Sequence, residues 1–577
     1  MILPSKAKMN FKFYFSIYIV IALMSCDTNC ISVRIDTSKI HSTVNPKFVN
    51  VAVDSGLVKH HWENFQWNST RVITLAAGLA PSFMRMGGTG ADFLIFKNDK
   101  LSTSQGHRYD TQVKKTQQWL TKNTREIVQE IGIKGRTKRD VVHNDEPLVN
   151  FTMTASFYDQ VHKFVSSAGW DLIFDLNSLL RKPDGVWDST NAIELINYTV
   201  QSGYKMGGWE LGNEPDEYTG AVIKHKLVPP EQLAKDYAHL RELVRRHPSF
   251  RNCVLMGPAL ASMTDYIKKG FFYSFECEPD EYTNYIIKHK LVPPEQLAKD
   301  FAHLKEIVRS HPSFRNCVIM GPSIAAMSVY WRKGFFYSFM SAGGGDAVTA
   351  ATFHQYYEDG AIAKLEDFYN PDVLNILYGE IQTGVNLTRA AGSTANVWLG
   401  ETSSAWRGGA KGLSDRYVAA FMWLDKLGMS ARDGINALIR QTFYGGNYSL
   451  LDHETCDPHP DYWLTLLYKL LVGNKVLRVT SPDSRGKIRA YAHCTQTTKS
   501  PKDFAKKHTG GMFKFSLPGG NSILSKHVKL NGEKLQMVDD KTLPNLLRPV
   551  KTTSQVSIPA MSYSFIVLPD AQLPVCM

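Results

Sequence analysis

Over most of the chain, apolar residues gather in short unbroken runs. Asp171-Leu172-Ile173-Phe174, Cys253-Val254-Leu255-Met256, Ala347 to Phe353 and Val397-Trp398-Leu399-Gly400 are of this kind. Such runs suit strands buried on both faces, as in a parallel sheet covered by helices. Elsewhere the spacing turns helical. Leu233, Tyr237, Leu240, Leu243 and Val244 follow Val228-Pro229-Pro230, whose prolines suit a helix start, and His247-Pro248 stops the pattern. From Asn474 onward the apolar positions alternate instead, in Val476 to Val479, Lys487 to Ala492, Met512 to Leu517 and Tyr563 to Leu568. Alternation predicts a β-sandwich over 474–577, with an early strand within 30–48 joining it. The chain therefore divides into strand-helix units of a barrel, over 49–97 and 149–473, and a β domain.

Two stretches break this scheme. Between Phe96 and Phe151 the strand pattern lapses: Lys97 to Arg108 is polar, Thr111 to Ile131 has helical spacing, and Gly135-Arg136-Thr137-Lys138-Arg139-Asp140 reads as a basic turn. Farther on, Glu214 to Phe275 recurs as Glu278 to Phe339 with 47 of 62 positions identical. Each copy is one helix-plus-strand unit. A closed eight-stranded barrel has no vacancy for an extra unit, because strand number, tilt and shear are linked, so one copy is expected to belong to the wall. The first copy continues from the preceding strand and the second runs into Ala347 to His354, so each has one correct end. The repeat is either a tandem insertion or two alternative exons joined in one predicted chain, and the second origin is preferred.

With 577 residues, 43% hydrophobic and 11% aromatic, the chain can bury a large core and a smaller one, matching a barrel of roughly 300 residues and an accessory domain. Lys6, Lys8 and Lys12 precede an apolar stretch from Phe13 to Met24, which reads as a secretory signal over 1–26. As an uncleaved anchor it is short against the ~20 residues of a membrane span. Export follows, to a secreted or lysosomal destination, with at most peripheral membrane association. Asn-X-Ser/Thr sequons at Asn68, Asn150, Asn197, Asn386 and Asn447 suit that route. The formal charge of +12 favours a polyanionic partner, and export puts nucleic acid out of reach, leaving an acidic polysaccharide. None of the eight cysteines stands in a Cys-X-X-Cys spacing, so no metal site is expected, nor any cofactor.

The chemistry lies where two apolar runs end in carboxylates, Trp209-Glu210-Leu211-Gly212-Asn213-Glu214-Pro215 and Val397-Trp398-Leu399-Gly400-Glu401-Thr402. Strands of a βα-barrel deliver such residues to a shared site, where two carboxylates can flank a glycosidic bond as acid and nucleophile. With Arg85-Met86-Gly87-Gly88-Thr89, Asp92 to Phe96, Phe353-His354-Gln355-Tyr356-Tyr357, Phe421 to Gly428 and Asp461-Tyr462-Trp463, these segments resemble the heparanases of glycoside hydrolase family 79. The resemblance runs from about Ser32 to the C-terminus, the repeat excepted. It implies an α/β fold, a (β/α)8 TIM barrel with a C-terminal β-sandwich domain. It also implies a retaining endo-β-glucuronidase acting on heparan sulfate.

By that resemblance Glu214 is the acid/base and Glu401 the nucleophile. Asn213 faces the sugar 2-hydroxyl, Tyr356 and His354 sit beside the nucleophile, and Asp92, Gly408, Gly409 and Tyr448 line the cleft. Cys494 and Cys576 form a disulfide tying the tail to the β domain. Residues 98–148 correspond to an excised linker whose loss leaves a two-chain heterodimer. Glu278 duplicates Glu214, but Cys277 replaces Asn213 and no Trp-Glu-Leu-Gly strand precedes it, so the acid is assigned to Glu214. Three features depart from the family. Arg407 replaces a glycine, and the basic clusters that flank the cleft give way to Asn144 to Asn150 and to Ala259–Thr264 or Ser323–Ser328. Exo-β-glucuronidase action on less sulfated glycans, or a catalytically impaired glycosaminoglycan-binding protein, are the alternative readings.

Overall fold

The computed structural model of the protein describes residues 7–10, 18–23, 31–59, 65–100, 150–177, 179–180, 188–211, 254–256, 320–325, 327, 333, 336–338, 340–347, 350–480, 486–495, 512–519, 522–552, 555–569, 571 and 573–576. Nearly all of the expected linker, Asn213, Glu214 and most of both repeat copies lie outside these.

Among the described residues, nine strands form one parallel sheet: β1 (Val49–Asp54), β2 (Ser82–Gly87), β3 (Trp170–Leu176), β4 (Met206–Leu211), β5 (Val254–Met256), β6 (Met320–Ala325), β7 (Ala350–Gln355), β8 (Asn396–Thr402) and β9 (Ile435–Arg440). Their order is β5-β4-β3-β2-β1-β9-β8-β7-β6, each neighbouring pair parallel. This is a barrel order opened at one seam. Within β1, the Asn50 amide donates to the Lys47 and Leu438 carbonyls at 2.8 and 3.2 Å and accepts the Phe83 N–H at 2.9 Å, tying β1 to both neighbours. That is why a polar residue is tolerated in a buried run.

The seam corrects the expectation that a single repeat copy reaches the wall. β5 comes from the first copy and pairs with β4, while β6 comes from the second and pairs with β7. Met256 and Met320 hold the same repeat position. The closure rule counts strands of a fully hydrogen-bonded ring; here, among the described residues, the two edge strands approach each other across the seam without pairing, and each edge takes one copy.

Helices cover the sheet and start where their sequences supply caps. The Ser69 and Thr154 hydroxyls each accept a backbone N–H at 3.2 Å at the heads of α1 (Thr70–Gly78) and α2 (Ala155–Ser167). After α3 (Thr190–Gln201), proline opens both α4 (Pro371–Ala390) and α6 (Pro460–Leu471). Between these two lies α5 (Ala419–Asp433), buried on every side from Ala419 to Ala431. An all-round buried helix needs a cover on each face, and α5 lies against α4, α6, β9 and the C-terminal β domain.

That domain is an antiparallel sheet of β10 (Val472–Thr480), β11 (Ile488–Thr495), β12 (Met512–Pro518), β13 (Val550–Thr552) and β14 (Ser562–Val567), with Arg34–Asp36 on its β10 edge. A three-stranded sheet of Ala7–Asn10, Ile31–Ser32 and Gln555–Ile558 lies beside it, and Val556 and Ile558 share a core with Leu477, Ile488 and Ile566. Tyr18–Leu23, the middle of the run read as a signal core, is here the strand between β11 and β14. Its sequence, Tyr-Ile-Val-Ile-Ala-Leu, has high β-propensity. The expected disulfide joins Cys494 to Cys576 across a Cα–Cα distance of 5.5 Å.

Candidate active site

Glu401 leaves β8 beside a bulge. Leu399 pairs with Phe353 and Leu438, Glu401 with His354 and Thr402 with Arg440, so the register slips around Gly400. Bulges re-aim side chains, and here the carboxylate meets two donors. Its Oε2 accepts from Arg85 Nη1 at 2.9 Å, and its Oε1 accepts from the Tyr356 hydroxyl at 2.6 Å. Arg85, itself 1% exposed, also lies 3.9 Å from Asp175 Oδ2 at the end of β3. Burial pushes the Glu401 carboxyl up, but His354, the Arg85 charge and the two donated hydrogen bonds outweigh it and hold the group below its ordinary value. Glu401 is thus an oriented carboxylate kept ionised in a dry setting.

Tyr356 stacks on Tyr448, with ring centroids 6.5 Å apart and planes 25° from parallel. Burial, with the charges of Glu401 and Asp54, pushes the Tyr448 phenol far up, so it stays protonated. Gly408 and Gly409 adopt φ of 77° and 88°. A Cβ on Gly409 would stand 2.9 Å from the Tyr448 nitrogen, so only glycine lets this loop close on its neighbour. The Asn447 N–H donates to the Gly408 carbonyl at 2.6 Å and its side-chain amide to the Gly409 carbonyl at 3.2 Å.

The structure thus joins Glu401, His354, Tyr356, Tyr448, Gly408 and Gly409 at one end of the sheet. Asp92 is fully buried in the turn Thr89–Phe93 after β2, which packs on β1, β2 and β3. Asn213 and Glu214, next after β4, lie outside the described residues. Among the sequons Asn68 and Asn386 are exposed, Asn150 and Asn197 half-buried, and Asn447 is set into the loop that carries Gly409.

Sequence reasoning assigned no role to three buried basic residues. Besides Arg85, Lys426 Nζ donates to Thr402 Oγ1 and the Ser403 carbonyl, each at 2.6 Å, and sits 4.4 Å from the Tyr357 ring centroid. Arg440 donates to Ser403 Oγ, to the Tyr448 carbonyl at 2.9 Å and to Asp461 at 2.8 Å. Burial, aided by the Arg440 charge, drives the Lys426 amine far down, and burial pushes the Asp461 carboxyl up to about 6 against the pull of Arg440. Together they fix the segment just past Glu401. The available signal was a basic residue inside an apolar strand or helix.

Comparisons with known proteins agree with this geometry. The model of the glycosyl hydrolase family 79 N-terminal domain matches twice, over residues 122–289 and 267–428, one match spanning each repeat copy. Heparanase of Mus musculus is 34% identical, the alignment covering 93% of this chain and 92% of that one. Hyaluronoglucuronidase of Hirudo nipponia is 29% identical over 95% of this chain and 99% of its own. Among solved structures, a 4-O-α-L-rhamnosyl-β-D-glucuronidase from Fusarium oxysporum superposes with a TM-score of 0.51 at 12% identity, covering 92% of this chain and 98% of that one, which speaks for the fold. An ionised carboxylate clamped by Arg85 and Tyr356 at a parallel-strand terminus, in a chain that aligns with a heparanase over more than nine-tenths of both lengths, makes this protein a glycoside hydrolase that belongs to glycosyl hydrolase family 79.

Proposed function

We propose that the protein is a retaining endo-β-glucuronidase that cleaves heparan sulfate or a closely related acidic polysaccharide. The observation that carries this reading is the Glu401 carboxylate, held ionised and pointed by Arg85 at 2.9 Å and Tyr356 at 2.6 Å. In the first step Glu401 attacks the anomeric carbon, the glycosidic C–O bond breaks, and Glu214 gives its proton to the departing oxygen. In the second, Glu214 takes a proton from water, whose oxygen displaces Glu401 and restores the enzyme. Retention requires the two carboxyls about 5 to 5.5 Å apart. Asn213 is proposed to hold the sugar 2-hydroxyl, and Asp92 to line the cleft.

A second reading, action on a less sulfated uronic acid polymer, draws support from the thinned basic clusters and from the similarity to a hyaluronoglucuronidase. Assay of the purified protein on defined heparan sulfate, on hyaluronan and on an aryl β-glucuronide, with Glu401→Gln as control, separates the readings. Internal cleavage of heparan sulfate, abolished in Glu401→Gln, supports the first. Cleavage of hyaluronan alone supports the second. Binding without turnover of any substrate sinks both and leaves a glycan-binding protein.

Export, processing and glycosylation belong to the same proposal. The basic start and apolar run of 1–26 are proposed to direct secretion, and cleavage after Arg139 to begin removal of the linker. N-terminal sequencing and mass mapping of mature chains test both. A mature protein still beginning at Met1 would rule out signal cleavage.

A further inference from the structure

Just past Glu401, Ala405–Trp406 pairs in parallel with Glu358–Asp359, joining the segments that leave β8 and β7. Arg407 follows with φ of 60°. That conformation costs a residue bearing a β-carbon about 1–2 kcal/mol and costs glycine almost nothing. Its Nε meets Asp359 Oδ2 at 3.2 Å while the side chain stays 57% exposed. Trp406 beside it is 43% exposed, one of few large apolar side chains so open among the described residues. Contacts run from here to the chemistry: Gly409 closes on Tyr448, Tyr448 stacks on Tyr356, and Tyr356 donates to Glu401.

Packing explains neither residue, since an open indole and an open guanidinium stabilise little, and the left-handed backbone at Arg407 is unfavourable. Strain of this kind persists where the surroundings impose it for use. We propose that Trp406 and Arg407 form a subsite for an acidic sugar residue of the polysaccharide, the indole lying on the apolar pyranose face and the guanidinium taking the carboxylate or sulfate. This subsite rests on the glycosidase reading above. The ion pair engages Nε, and the fork of the two terminal nitrogens is the edge that matches a carboxylate or sulfate in two-point fashion. Asp359, whose other oxygen accepts the Ala361 N–H at 2.9 Å, holds the guanidinium in place. It is also a resident anion that competes with the substrate's own.

Equilibrium binding in the Glu401→Gln background makes the test independent of turnover. The probes are size-matched oligosaccharides of alternating uronate and N-acetylglucosamine in three forms: unsulfated, sulfated, and unsulfated with the carboxyls reduced. Arg407→Gln is expected to raise Kd about tenfold for acidic probes and to leave the reduced probe unaffected. Loss confined to the sulfated probe assigns the anion as sulfate, and loss on both acidic probes as carboxylate. Arg407→Gly, which suits the backbone, is expected to lose as much. Asp359→Asn is expected to bind at least as tightly as the parent. Equal affinity of Arg407→Gln and its parent overturns the proposal, as does an equal loss on the reduced probe, or a parent that binds no probe. A matching loss in Asp359→Asn overturns it too, making the pair a structural clamp. Wild-type protein that binds these probes yet cleaves no uronide overturns the glycosidase reading and leaves the subsite standing.

Discussion

Replacing Arg85 by Met keeps the volume of the side chain and removes its charge and its bond to Glu401. Both partners are buried, with side-chain exposures of 1% and 9%. A hydrogen bond to a charged group contributes about 1.5–3 kcal/mol, and one pKa unit corresponds to about 1.4 kcal/mol, so Glu401 should titrate about 1–2 units higher. In the role proposed for it Glu401 acts only when ionised, and its carboxyl now lies below the ordinary carboxylate value. Raising it moves the acidic limb of kcat/KM toward higher pH. At a pH on that limb the variant should be about 10- to 100-fold slower, recovering part of the loss as pH rises. The assay is the pH profile of kcat/KM on an aryl β-glucuronide. Because Asp175 also faces the lost guanidinium at 3.9 Å, Arg85→Met/Asp175→Asn is the companion that separates misfolding from the titration effect. An acidic limb that stays in place while activity falls uniformly would refute the argument, leaving Arg85 a purely structural residue.

Three further outcomes follow from packing and titration. Gly428→Ala drives a Cβ into the Tyr491 ring, whose hydroxyl is fixed to Asp425 at 2.6 Å, so α5 must move off the β domain; a loss of about 1–3 kcal/mol in denaturant unfolding is expected. The double change Cys494→Ser/Cys576→Ser opens a link across 82 residues of sequence and should lower stability by up to about 4–5 kcal/mol on the chain-entropy account, read as a fall in Tm. His493 is held down to about 4 by burial, the Gly473 carbonyl opposing, so the unfolded chain takes up a proton below about 6.5 and the folded one does not. Its contribution to stability is therefore lost as pH falls from about 6.5 to 4, and His493→Gln should reduce the acid sensitivity of unfolding by about 1.4 kcal/mol per pH unit across that window.

What could be read along the chain depended on how local its cause was. Buried parallel strands announce themselves as apolar runs, and Glu401 was visible because it ends one of them. Arg85 was marked only as a basic residue inside an apolar strand: its partner lies 316 residues away, and the fold rather than the local sequence brings them together. Lys426 looks like an ordinary charged interruption until α5 proves covered on every face. Tyr18–Leu23 shows the limit of composition alone, since a short apolar run serves an export signal and a sheet strand equally well. The repeat was plain in the sequence, but its placement was not, because the rule applied to it presumed a closed ring.

The seam makes the last prediction. Adjacent strands lie about 4.8 Å apart, so β2 and β8, three steps apart through β1 and β9, would stand roughly 14 Å apart in a flat sheet. The Arg85 and Glu401 side chains span that gap and meet at 2.9 Å at the end of the sheet, tying this half together. The extra unit lies at the seam, with β5 beside β4 and β6 beside β7. Deleting residues 257–320 joins Met256 to Gly321 and removes one repeat period. The fused strand, Val254 to Met256 followed by Gly321 to Ala325, would carry the first copy's pairing with β4 and the second copy's pairing with β7, closing eight strands into a ring. Two open edges disappear and no bond of the Glu401 cluster is touched. The deletion protein should therefore fold, melt at a higher temperature and keep or gain uronidase activity. A deletion protein that is unfolded, or folded and inactive on substrates the full chain cleaves, would show that both copies are integral to the wall and that the ring argument fails here.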